Sequence, residues 1–356
     1  KCNLSKYLIK NKNKIITELD IFYLTFPENL KITITGTNGK STTCQMLYNI
    51  FKSNKLDVRL VGNIGISPLF EKGIEKKTIF IIEASSYQIS YSKFFKTDYA
   101  AVLNLSPDHL ERHGNINQYA KAKLKLIFNQ NKNNIAYIEK NNQIINKEIR
   151  NKKLKSKVKK INYSKEIFFK KKIKNIYLLD KNNLNNIHFV YSISKKFKIP
   201  DTRIFSSLNK FRGLKFRKQI IYNKKNLIII NDSKSTTFSS TKGLLYSYKN
   251  IYWVVGGMFK KGDKFNIKKK YYKNIKAYII GLNKKYSIDQ FRNKIKFRYF
   301  GNLKNAVSAI KKDIKNDISL KTILFSPAAA SFDQFKNFED RGQYFNKIVK
   351  SLIIKN

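Results

Sequence analysis

Short apolar runs alternate with segments of helical periodicity through most of the chain. Strands separated by helices are typical of βαβ units, so this pattern predicts an α/β protein with largely parallel sheets. The predicted strands are 31–36, 78–84, 99–106, 226–231, 251–257, 276–281 and 321–326. The predicted helices are 41–54, 119–129, 184–197, 238–248, 303–315 and 343–354.

Two stretches change the pattern along the chain. Near residues 207–217 a helical segment ends and a second series of strands and helices begins, which predicts a domain boundary. Residues 141–174 are rich in Lys and Asn and only weakly periodic. We interpret this second stretch as a solvated part of a domain rather than a linker.

The composition is that of a folded protein, since 42% of the 356 residues are hydrophobic and 13% are aromatic. No apolar run approaches the roughly 18 residues that a membrane span requires, so we expect no membrane-spanning segment. Cys2 and Cys44 are too few for a disulfide framework. They favour the reducing cytoplasm as the location of the protein.

The net charge of +50 allows a nucleic-acid-binding reading, because Lys and Arg neutralise phosphates. The lysines are not confined to one tail, however, but are dispersed among Asn, Ile, Phe and Tyr. These five residue types share AT-rich codons, so genomic base composition explains the bias without selection for a basic surface. We therefore expect no specific nucleic-acid partner.

The strongest motif joins strand 31–36 to helix 41–54 through a glycine-rich turn. Backbone N–H groups and a helix N-terminus in this arrangement bind phosphates, Lys40 reaches the outer phosphates and the Ser41 hydroxyl binds Mg²⁺. The strict P-loop spacing requires glycine at the position of Ile34, so the loop is a shorter variant. The alternative is a simple turn with an exposed lysine. The residues predicted to bind ATP here are Gly36, Thr37, Asn38, Gly39, Lys40, Ser41 and Thr42.

Acidic and histidine side chains follow the next two predicted strands. Glu83 lies at the end of strand 78–84, and Asp108 and His109 lie just beyond strand 99–106. Ligands of open α/β sheets bind at the carboxyl ends of the strands, and Mg²⁺ prefers carboxylate oxygens. We interpret Glu83 as a Mg²⁺ ligand rather than a surface acid, and His109 as a metal or phosphate contact. His113 and His188 are interpreted as non-catalytic.

These motifs together resemble the ATP-dependent Mur ligases of peptidoglycan synthesis. The family's phosphate loop is matched by residues 36–42, and the resemblance is to the D-glutamate-adding branch. It runs from about residue 24 to the C-terminus. The further matching segments are 62–65 (GNIG), 83–88 (EASSYQ), 104–113, 119–125 (YAKAKLK), 231–236 (NDSKST) and 326–342 (SPAAASFDQFKNFEDRG).

The resemblance implies a central P-loop ATPase domain with a mostly parallel sheet at 24–211, followed by a Rossmann-like amino-acid-binding domain at 212–356. In the family, an N-terminal domain binds the uridine diphosphate part of the substrate. Because the phosphate loop starts at residue 36, we expect no room for that domain in this sequence. We expect residues 1–23 to be the tail of that domain and a linker. The implied reaction joins D-glutamate to UDP-N-acetylmuramoyl-L-alanine through an acyl phosphate, using ATP and Mg²⁺, in a cytoplasmic monomer.

The resemblance also assigns roles to single residues. Lys40, His109 and Lys123 are the implied catalytic residues. Ser41 and Glu83 hold one Mg²⁺, while His109 and a carbamylated Lys123 hold another. From the residues alone, Lys123 is an exposed lysine in a Lys-rich helix. Three residues are implied to contact the adenine, phosphate and ribose of ATP, namely Asn183, Arg217 and Asp232. Six are implied to bind the other substrates: Asn63 the muramoyl group, and Lys234, Thr236, Lys260, Ser331 and Phe338 D-glutamate.

The chain departs from the family pattern at the predicted ATP site. Phe216 precedes Arg217 where the family usually has histidine, and Met258 and Phe259 add bulk before Lys260. Two alternatives stay open. One is another ligase of the Mur or folylpolyglutamate type. The other is a truncated, non-catalytic or basic binding protein derived from this family.

Overall fold

A computed structural model describes residues 7, 10–150, 152–224, 226–260, 262–315 and 318–354, without the side chains of residues 12, 111 and 176. The chain divides into two compact units, Lys1–Arg212 and Gly213–Asn356. The domain boundary predicted from the sequence lies between residues 211 and 212. The functions predicted for the two domains stay predictions.

Unit 1 is built on a six-stranded sheet in the order β2-β3-β1-β4-β5-β6, in which all neighbouring strands are parallel. The strands are β1 Lys31–Thr35, β2 Val58–Gly62, β3 Ile79–Glu83, β4 Tyr99–Val102, β5 Ile135–Glu139 and β6 Lys157–Ile161. The α-helices are α1 Glu18–Thr25, α2 Lys40–Ser53, α3 Ser86–Tyr91, α4 Leu110–His113, α5 Ile116–Phe128, α6 Gln143–Ile149, α7 Glu166–Lys172, α8 Lys181–Lys196 and α9 Asp201–Asn209. Short 3₁₀ helices are Lys12–Lys14, Pro68–Phe70 and Ile176–Leu178.

The sheet of unit 1 is buried on both faces. Ile81 packs into one hydrophobic core together with Ile32 and Ile34, whereas its neighbours Phe80 and Ile82 pack into the core on the opposite face. This alternation follows from the two-residue period of a strand. Because the strands are parallel, the carboxyl ends of β1, β3 and β4 meet at one edge of the sheet.

Unit 2 is built on a second six-stranded sheet in the order β11-β10-β9-β12-β8-β7. Only β7 runs antiparallel to its neighbour among the described strands of this sheet. The strands are β7 Gln219–Lys224, β8 Leu227–Asn231, β9 Ile251–Gly256, β10 Ile275–Ile280, β11 Lys296–Gly301 and β12 Lys321–Phe325. The helices are α10 Phe238–Ser247, α11 Lys284–Phe291, α12 Leu303–Ile314 and α13 Phe338–Val349, with a 3₁₀ helix Lys269–Asn274 and a π-helical turn Lys350–Ile354.

The α/β fold class predicted from the sequence is confirmed, and all seven predicted strands are present. Five strands were missed, and four of them, β2, β6, β7 and β11, are sheet edges. The stretch 141–174 contributes α6, β6 and α7 to unit 1. Within the described residues, no helix is both long enough and apolar enough to cross a membrane.

Candidate active site

The predicted phosphate loop connects β1 to α2 in unit 1. Gly36 and Gly39 have φ angles of 149° and 84°, which L side chains rarely adopt. A Cβ atom at Gly39 would also lie only 2.3 Å from the side-chain oxygen of Asn186 on α8. Both the backbone conformation and the close approach of α8 therefore require glycine at this position.

The segment that follows β4 holds the loop in place. The backbone N–H of Thr37 donates to the carbonyl oxygen of Asn104 at 2.9 Å. The N–H of Asn38 donates to Asn104 Oδ1 at 2.9 Å, and Asn104 Nδ2 donates to the Asn38 carbonyl at 3.1 Å. The Thr37 and Tyr119 hydroxyls lie 3.2 Å apart. The loop is thus fixed to the ends of β1 and β4 and to α5.

Lys40 and Ser41 are the first two residues of α2. The Lys40 ammonium donates to the carbonyl oxygens of Gly36 and Thr37, both at 2.9 Å, so its charge is held against the loop. Ser41 is buried beneath the loop. A positive charge beside a helix N-terminus favours an anion at this place.

Glu83 ends β3 and is buried, with 1% of its surface exposed. Its Oε1 accepts a 2.9 Å hydrogen bond from Asn63 Nδ2, but its Oε2 has no partner among the described residues. A buried carboxylate oxygen without a partner is costly unless a cation or donor satisfies it. This oxygen, at the end of the strand beside the phosphate loop, fits the predicted Mg²⁺ ligand.

Lys123 is buried within α5, with 2% of its surface exposed, which overturns the exposed-lysine reading. Its Nζ lies 3.3 Å from Thr35 Oγ1 at the end of β1. Burial lowers the pKa of Lys123 to about 7, and the charge of Lys40 acts in the same direction. Asp108 and Glu83 oppose this effect. Burial and the charge of Lys40 thus both favour the neutral amine of Lys123 over the ammonium form.

His109 adopts a left-handed conformation, φ 53°, immediately before α4. Its Nε2 lies 3.5 Å from Asp108 Oδ2, and both side chains are about two-fifths exposed. The ring of Tyr87 contacts those of His109 and His113, with centroids 5.2 and 5.5 Å apart. In the described part of the chain, no three His, Cys, Asp or Glu side chains cluster around one point. Of the four predicted metal ligands, only Glu83 and His109 belong to these residue types.

The asparagines at the start of α8 differ in their contacts. Asn183 is predicted to contact adenine. Its Nδ2 instead donates to two nearby groups that precede α8, the carbonyl of Tyr177 at 2.8 Å and the side chain of Asp180 at 2.5 Å. Asn186 is the residue that lies against the phosphate loop at Gly39, and it is buried. Asn186 was not among the site residues predicted from the sequence. Its position three residues after Asn183, on the same helix face, was the available signal.

Two of the predicted ATP contacts belong to unit 2. Asp232 follows β8 and accepts hydrogen bonds from Ser326 Oγ at 2.7 Å and from the N–H of Lys218 at 2.9 Å. Burial raises the pKa of Asp232 to about 6, although these two donors act to lower it. Arg217 is half-buried in the turn before β7. Phe216 is buried against Gly342, so the residue that departs from the family pattern here is part of the unit 2 core.

The predicted D-glutamate contacts gather at the carboxyl edge of the unit 2 sheet. Lys234 and Thr236 follow β8, Lys260 follows β9, Ser331 follows β12, and Phe338 begins α13. The strands β9, β12 and β8 are adjacent, which brings the segments that follow them to one edge. The Lys234 ammonium lies 3.8 Å from the centre of the Phe338 ring.

Hydrogen bonds join these segments to one another. Met258 and Ala330 exchange two backbone hydrogen bonds of 2.9 Å, linking the loop of Lys260 to that of Ser331. The buried guanidinium of Arg341 donates to Ser233 Oγ at 3.1 Å and to the carbonyls of Ser233 and Ala329 at 2.7 and 3.0 Å.

No role for Arg341 was predicted from the sequence. Its four-residue spacing from Phe345, on the apolar face of α13, was the signal for its burial. Burial lowers the pKa of Arg341 to about 10, so the side chain is charged at neutral pH. Its Nη1 has no hydrogen-bond partner among the described residues.

Comparisons with known proteins identify the family to which the chain belongs. Residues 34–204 match the family model of the Mur ligase middle domain. The UDP-N-acetylmuramoylalanine–D-glutamate ligase of Rickettsia prowazekii (strain Madrid E) is 34% identical over 94% of this chain and 79% of its own length. The enzyme of the same name from Francisella tularensis subsp. mediasiatica is 34% identical over 98% of this chain and 83% of its own length.

Solved structures share the fold at low identity. The MurF ligase from Thermotoga maritima, in complex with ADP, has a TM-score of 0.63 at 17% identity and covers 94% of this chain and 83% of its own. The bifunctional folylpolyglutamate synthase/dihydrofolate synthase from Yersinia pestis, complexed with AMPPNP and Mn ion, has a TM-score of 0.62 at 13% identity, covering 94% of both chains. With the relatives above, they confirm the predicted fold and ligase class. The chain belongs to the Mur ligase family of ATP-dependent amide-forming ligases.

Proposed function

We propose that this ligase joins D-glutamate to UDP-N-acetylmuramoyl-L-alanine in peptidoglycan precursor synthesis, acting as a cytoplasmic monomer. One observation carries the use of ATP: the buried Oε2 of Glu83, which has no partner among the described residues, lies beside a glycine-rich loop that also holds the charge of Lys40. The choice of substrates rests on relatives that bear this name and align with more than nine-tenths of the chain.

The residues of unit 1 fit a magnesium-dependent phosphoryl transfer. Ser41 and Glu83 would hold one Mg²⁺, and His109 with a carbamylated Lys123 would hold a second. Bound Mg²⁺ supplies positive charge that offsets the negative charge developing on the transferring phosphoryl group. Lys40 adds a fixed positive charge at the phosphates, and residues 36–39 present backbone N–H groups to them.

A carboxylate is a poor electrophile, so amide formation at neutral pH requires activation. A carboxylate oxygen of UDP-N-acetylmuramoyl-L-alanine attacks the γ-phosphorus of ATP, the bond to ADP breaks, and an acyl phosphate forms. The amine of D-glutamate then attacks the acyl carbon, inorganic phosphate leaves with the bonding electron pair, and one proton is released. The fixed charges of the site act on the transferring phosphoryl group, where charge builds up.

The environment of Lys123 suits its conversion to a carbamate. A neutral amine attacks the carbon of CO₂ and loses one proton, which leaves a carbamate whose single negative charge is shared by two oxygens. The lowered pKa of Lys123 supplies that neutral amine near pH 7. Oxygen ligands are those that Mg²⁺ prefers, whereas an ammonium group cannot bind a cation.

The remaining assignments concern substrate recognition. In unit 2, the ammonium groups of Lys234 and Lys260 offer charges of the sign that the carboxylates of D-glutamate require, and Thr236, Ser331 and Phe338 complete the proposed pocket. We assign Asn183, Arg217 and Asp232 to the adenine, phosphate and ribose of ATP. Asn63, whose amide orients Glu83, is assigned to the muramoyl group.

Phosphate release from ATP and Mg²⁺ tests the proposal, with each of the two other substrates omitted in turn and L-glutamate as a stereochemical control. We expect release only when UDP-N-acetylmuramoyl-L-alanine and D-glutamate are both present. Release with a different amino acid or with a folate would indicate another ligase of this fold. Absence of release in all mixtures, with salt-sensitive DNA binding, would favour the non-catalytic basic protein.

A further inference from the structure

The loop between β8 and α10 carries two of the proposed D-glutamate contacts, Lys234 and Thr236. Both are only partly buried. Ser233 and Ser235, which alternate with them along the loop, are buried in unit 2. The contacts of these two serines therefore determine where the loop places the side chains of Lys234 and Thr236.

The two serines are held from different helices. Ser233 Oγ donates to the Phe338 carbonyl on α13 at 2.8 Å and accepts from Arg341 Nε at 3.1 Å. Ser235 is held from the start of α10, where its Oγ lies 2.8 Å from Thr241 Oγ1 and 2.6 Å from Ser240 Oγ. The loop is thus anchored on both sides of Lys234.

Thr241 continues the contact of Ser235 to the end of β12. Its Oγ1 lies 2.8 Å from Oγ of Ser326, and Ser326 Oγ donates to Asp232 Oδ2 at 2.7 Å. Thr241 and Ser326 are fully buried, and Ser235 and Asp232 are nearly so. The side chains of Ser235, Thr241 and Ser326, which we call the hydroxyl chain, therefore join the loop to the ends of the adjacent strands β8 and β12.

The ionised carboxylate of Asp232 gives the hydroxyl chain a direction. A carboxylate only accepts hydrogen bonds, and each hydroxyl has one hydrogen to donate. Ser326 uses its hydrogen for Asp232, so Thr241 donates to Ser326, and Ser235 in turn donates to Thr241. Hydrogen bonds aligned toward a charged acceptor polarise and strengthen one another. The buried charge of Asp232 thus stabilises the anchoring of Ser235 through Thr241.

A local role within α10 accounts for less of the geometry of Thr241. Threonine in a helix often bonds the carbonyl oxygen four residues back, which here belongs to Thr237. That oxygen lies 3.4 Å from Thr241 Oγ1, whereas the hydroxyls of Ser235 and Ser326 both lie at 2.8 Å. The shorter contacts connect separate segments of unit 2.

We propose that Thr241 is a positioning residue for D-glutamate, which holds Lys234 and Thr236 in place by anchoring Ser235 to Ser326. Because Thr241 is fully buried, it acts through the loop and not on the substrate. The inference rests on the proposed function, since it takes Lys234 and Thr236 as D-glutamate contacts.

Substitutions at Thr241 test this role. Thr241→Val keeps the branching of the side chain but breaks the hydroxyl chain at its middle member, whereas Thr241→Ser keeps the hydroxyl. We expect Thr241→Val to raise the KM for D-glutamate about tenfold, with kcat and the KM for ATP changed by less than about threefold. Ser235→Ala, which breaks the hydroxyl chain at the loop, should have the same effect. Thr241→Ser should keep the KM for D-glutamate within about twofold of the unmodified chain.

Thr33→Val in unit 1 is the matched control. It also replaces a fully buried threonine, and it breaks the 2.8 Å hydrogen bond between the Thr33 and Thr97 hydroxyls. The loss of one buried hydroxyl contact is therefore similar, but no proposed D-glutamate contact is attached to it. We expect the KM for D-glutamate to change by less than about twofold.

Amide hydrogen exchange of the protein without ligands tests the anchoring directly. The backbone N–H groups of Lys234 and Ser235 donate to the carbonyl oxygens of Phe216 and Asp232 at 3.0 and 2.9 Å. Their protection from exchange reports whether the loop is held. We expect Thr241→Val to speed the exchange of both amides about tenfold, and Thr33→Val to leave it unchanged.

The outcomes separate this inference from the proposed function. No phosphate release from the unmodified chain with D-glutamate would refute the proposed substrate, and the role of Thr241 with it. Release with D-glutamate that has the same KM in Thr241→Val and Ser235→Ala would overturn the role of Thr241 alone. An equal rise of this KM in Thr241→Ser or Thr33→Val, or unchanged exchange at Lys234 and Ser235, would also overturn it.

Discussion

The carboxyl edges of the two sheets leave opposite kinds of buried group unsatisfied. Among the described residues, the edge of unit 1 leaves an acceptor without a partner, Oε2 of Glu83, and the edge of unit 2 leaves a donor without one, Nη1 of Arg341. An unpaired buried acceptor favours a cation or donor, and an unpaired buried donor favours an anion or acceptor. The carboxyl edge of each sheet is therefore suited to different chemistry by a few side chains rather than by the fold.

The two edges also differ in how their charges are used. In unit 1 the Lys40 ammonium lies against the phosphate loop, and the Lys123 ammonium lies against Thr35 at the end of β1. Arg341 in unit 2 joins Ser233 to Ala329 and so holds two loops together. Substitutions at the first edge should mainly reduce turnover, and substitutions at the second should mainly reduce stability.

The largest effect is expected for Lys40→Ala. Removal of a charge that stabilises the transferring phosphoryl group should lower kcat by about 10³-fold with little loss of stability. Phosphate release and thermal unfolding measure the two quantities. Lys52→Ala, an exposed lysine at the end of the same helix, is the matched control and should retain full activity. Turnover near that of the unmodified chain in Lys40→Ala would contradict the role of the loop.

Arg341→Met tests the other edge. Three acceptors in the interior of unit 2 would lose their donor, which should cost about 3 kcal/mol of unfolding free energy. The single tryptophan, Trp253, is buried in unit 2, so its fluorescence during urea unfolding reports this change. Arg298→Met, whose side chain is half-exposed and pairs with Asp313, should cost less than about 1 kcal/mol. Equal losses in both variants would show that Arg341 has no special structural role.

Lys123→Ala addresses the carbamate in unit 1. Loss of a buried charged ligand should lower kcat by about 10²-fold, and small carboxylates such as acetate should restore part of the rate. Lys121→Ala, exposed on the same helix, should behave like the unmodified chain and should not respond to acetate. Full activity of Lys123→Ala without added carboxylate would refute the proposed ligand.

The fold could be predicted wherever a strand is buried on both faces. β1 and β9 appear in the sequence as continuous apolar or threonine-containing runs, because neither face meets water. β6, with the sequence KVKKI, is a sheet edge with mostly exposed side chains, and its lysines conceal the strand. Pairing with β5 across the sheet, which no local pattern encodes, makes this segment a strand.

The candidate site was predictable only as far as its motifs are local. The loop glycines and Lys40 lie close together in the sequence, so the local pattern predicts their geometry. The bonds of Asn104 to the loop and of Asn63 to Glu83 span 66 and 20 residues, so spacing alone could not reveal them. The burial of Lys123 was accessible in principle, because Tyr119, Lys123 and Ile127 recur every four residues on the buried face of α5.

The smallest expected effect concerns one buried carboxylate in each unit. Burial raises the pKa of Asp20, but hydrogen bonds from the Ser92 hydroxyl, Thr17 and the Phe94 N–H outweigh it and lower the pKa to about 2. Asp232 has the opposite shift, to about 6, because burial dominates. The two groups should therefore give stability profiles of opposite sign.

A lowered folded-state pKa means that Asp20 stabilises unit 1 above about pH 4, and that this stability is lost as the pH falls through 2. The full contribution is about 2 kcal/mol, so Asp20→Asn should flatten the acid limb of the urea-unfolding profile by that amount. A raised pKa means that the contribution of Asp232 is present below about pH 4 and is lost as the pH rises through 6. Asp232→Asn should accordingly flatten the profile between those values, measured by Trp253 fluorescence, and leave the acid limb unchanged. If both variants changed the slope of the stability–pH profile over the same pH range, the two carboxylates would not have pKa shifts of opposite direction.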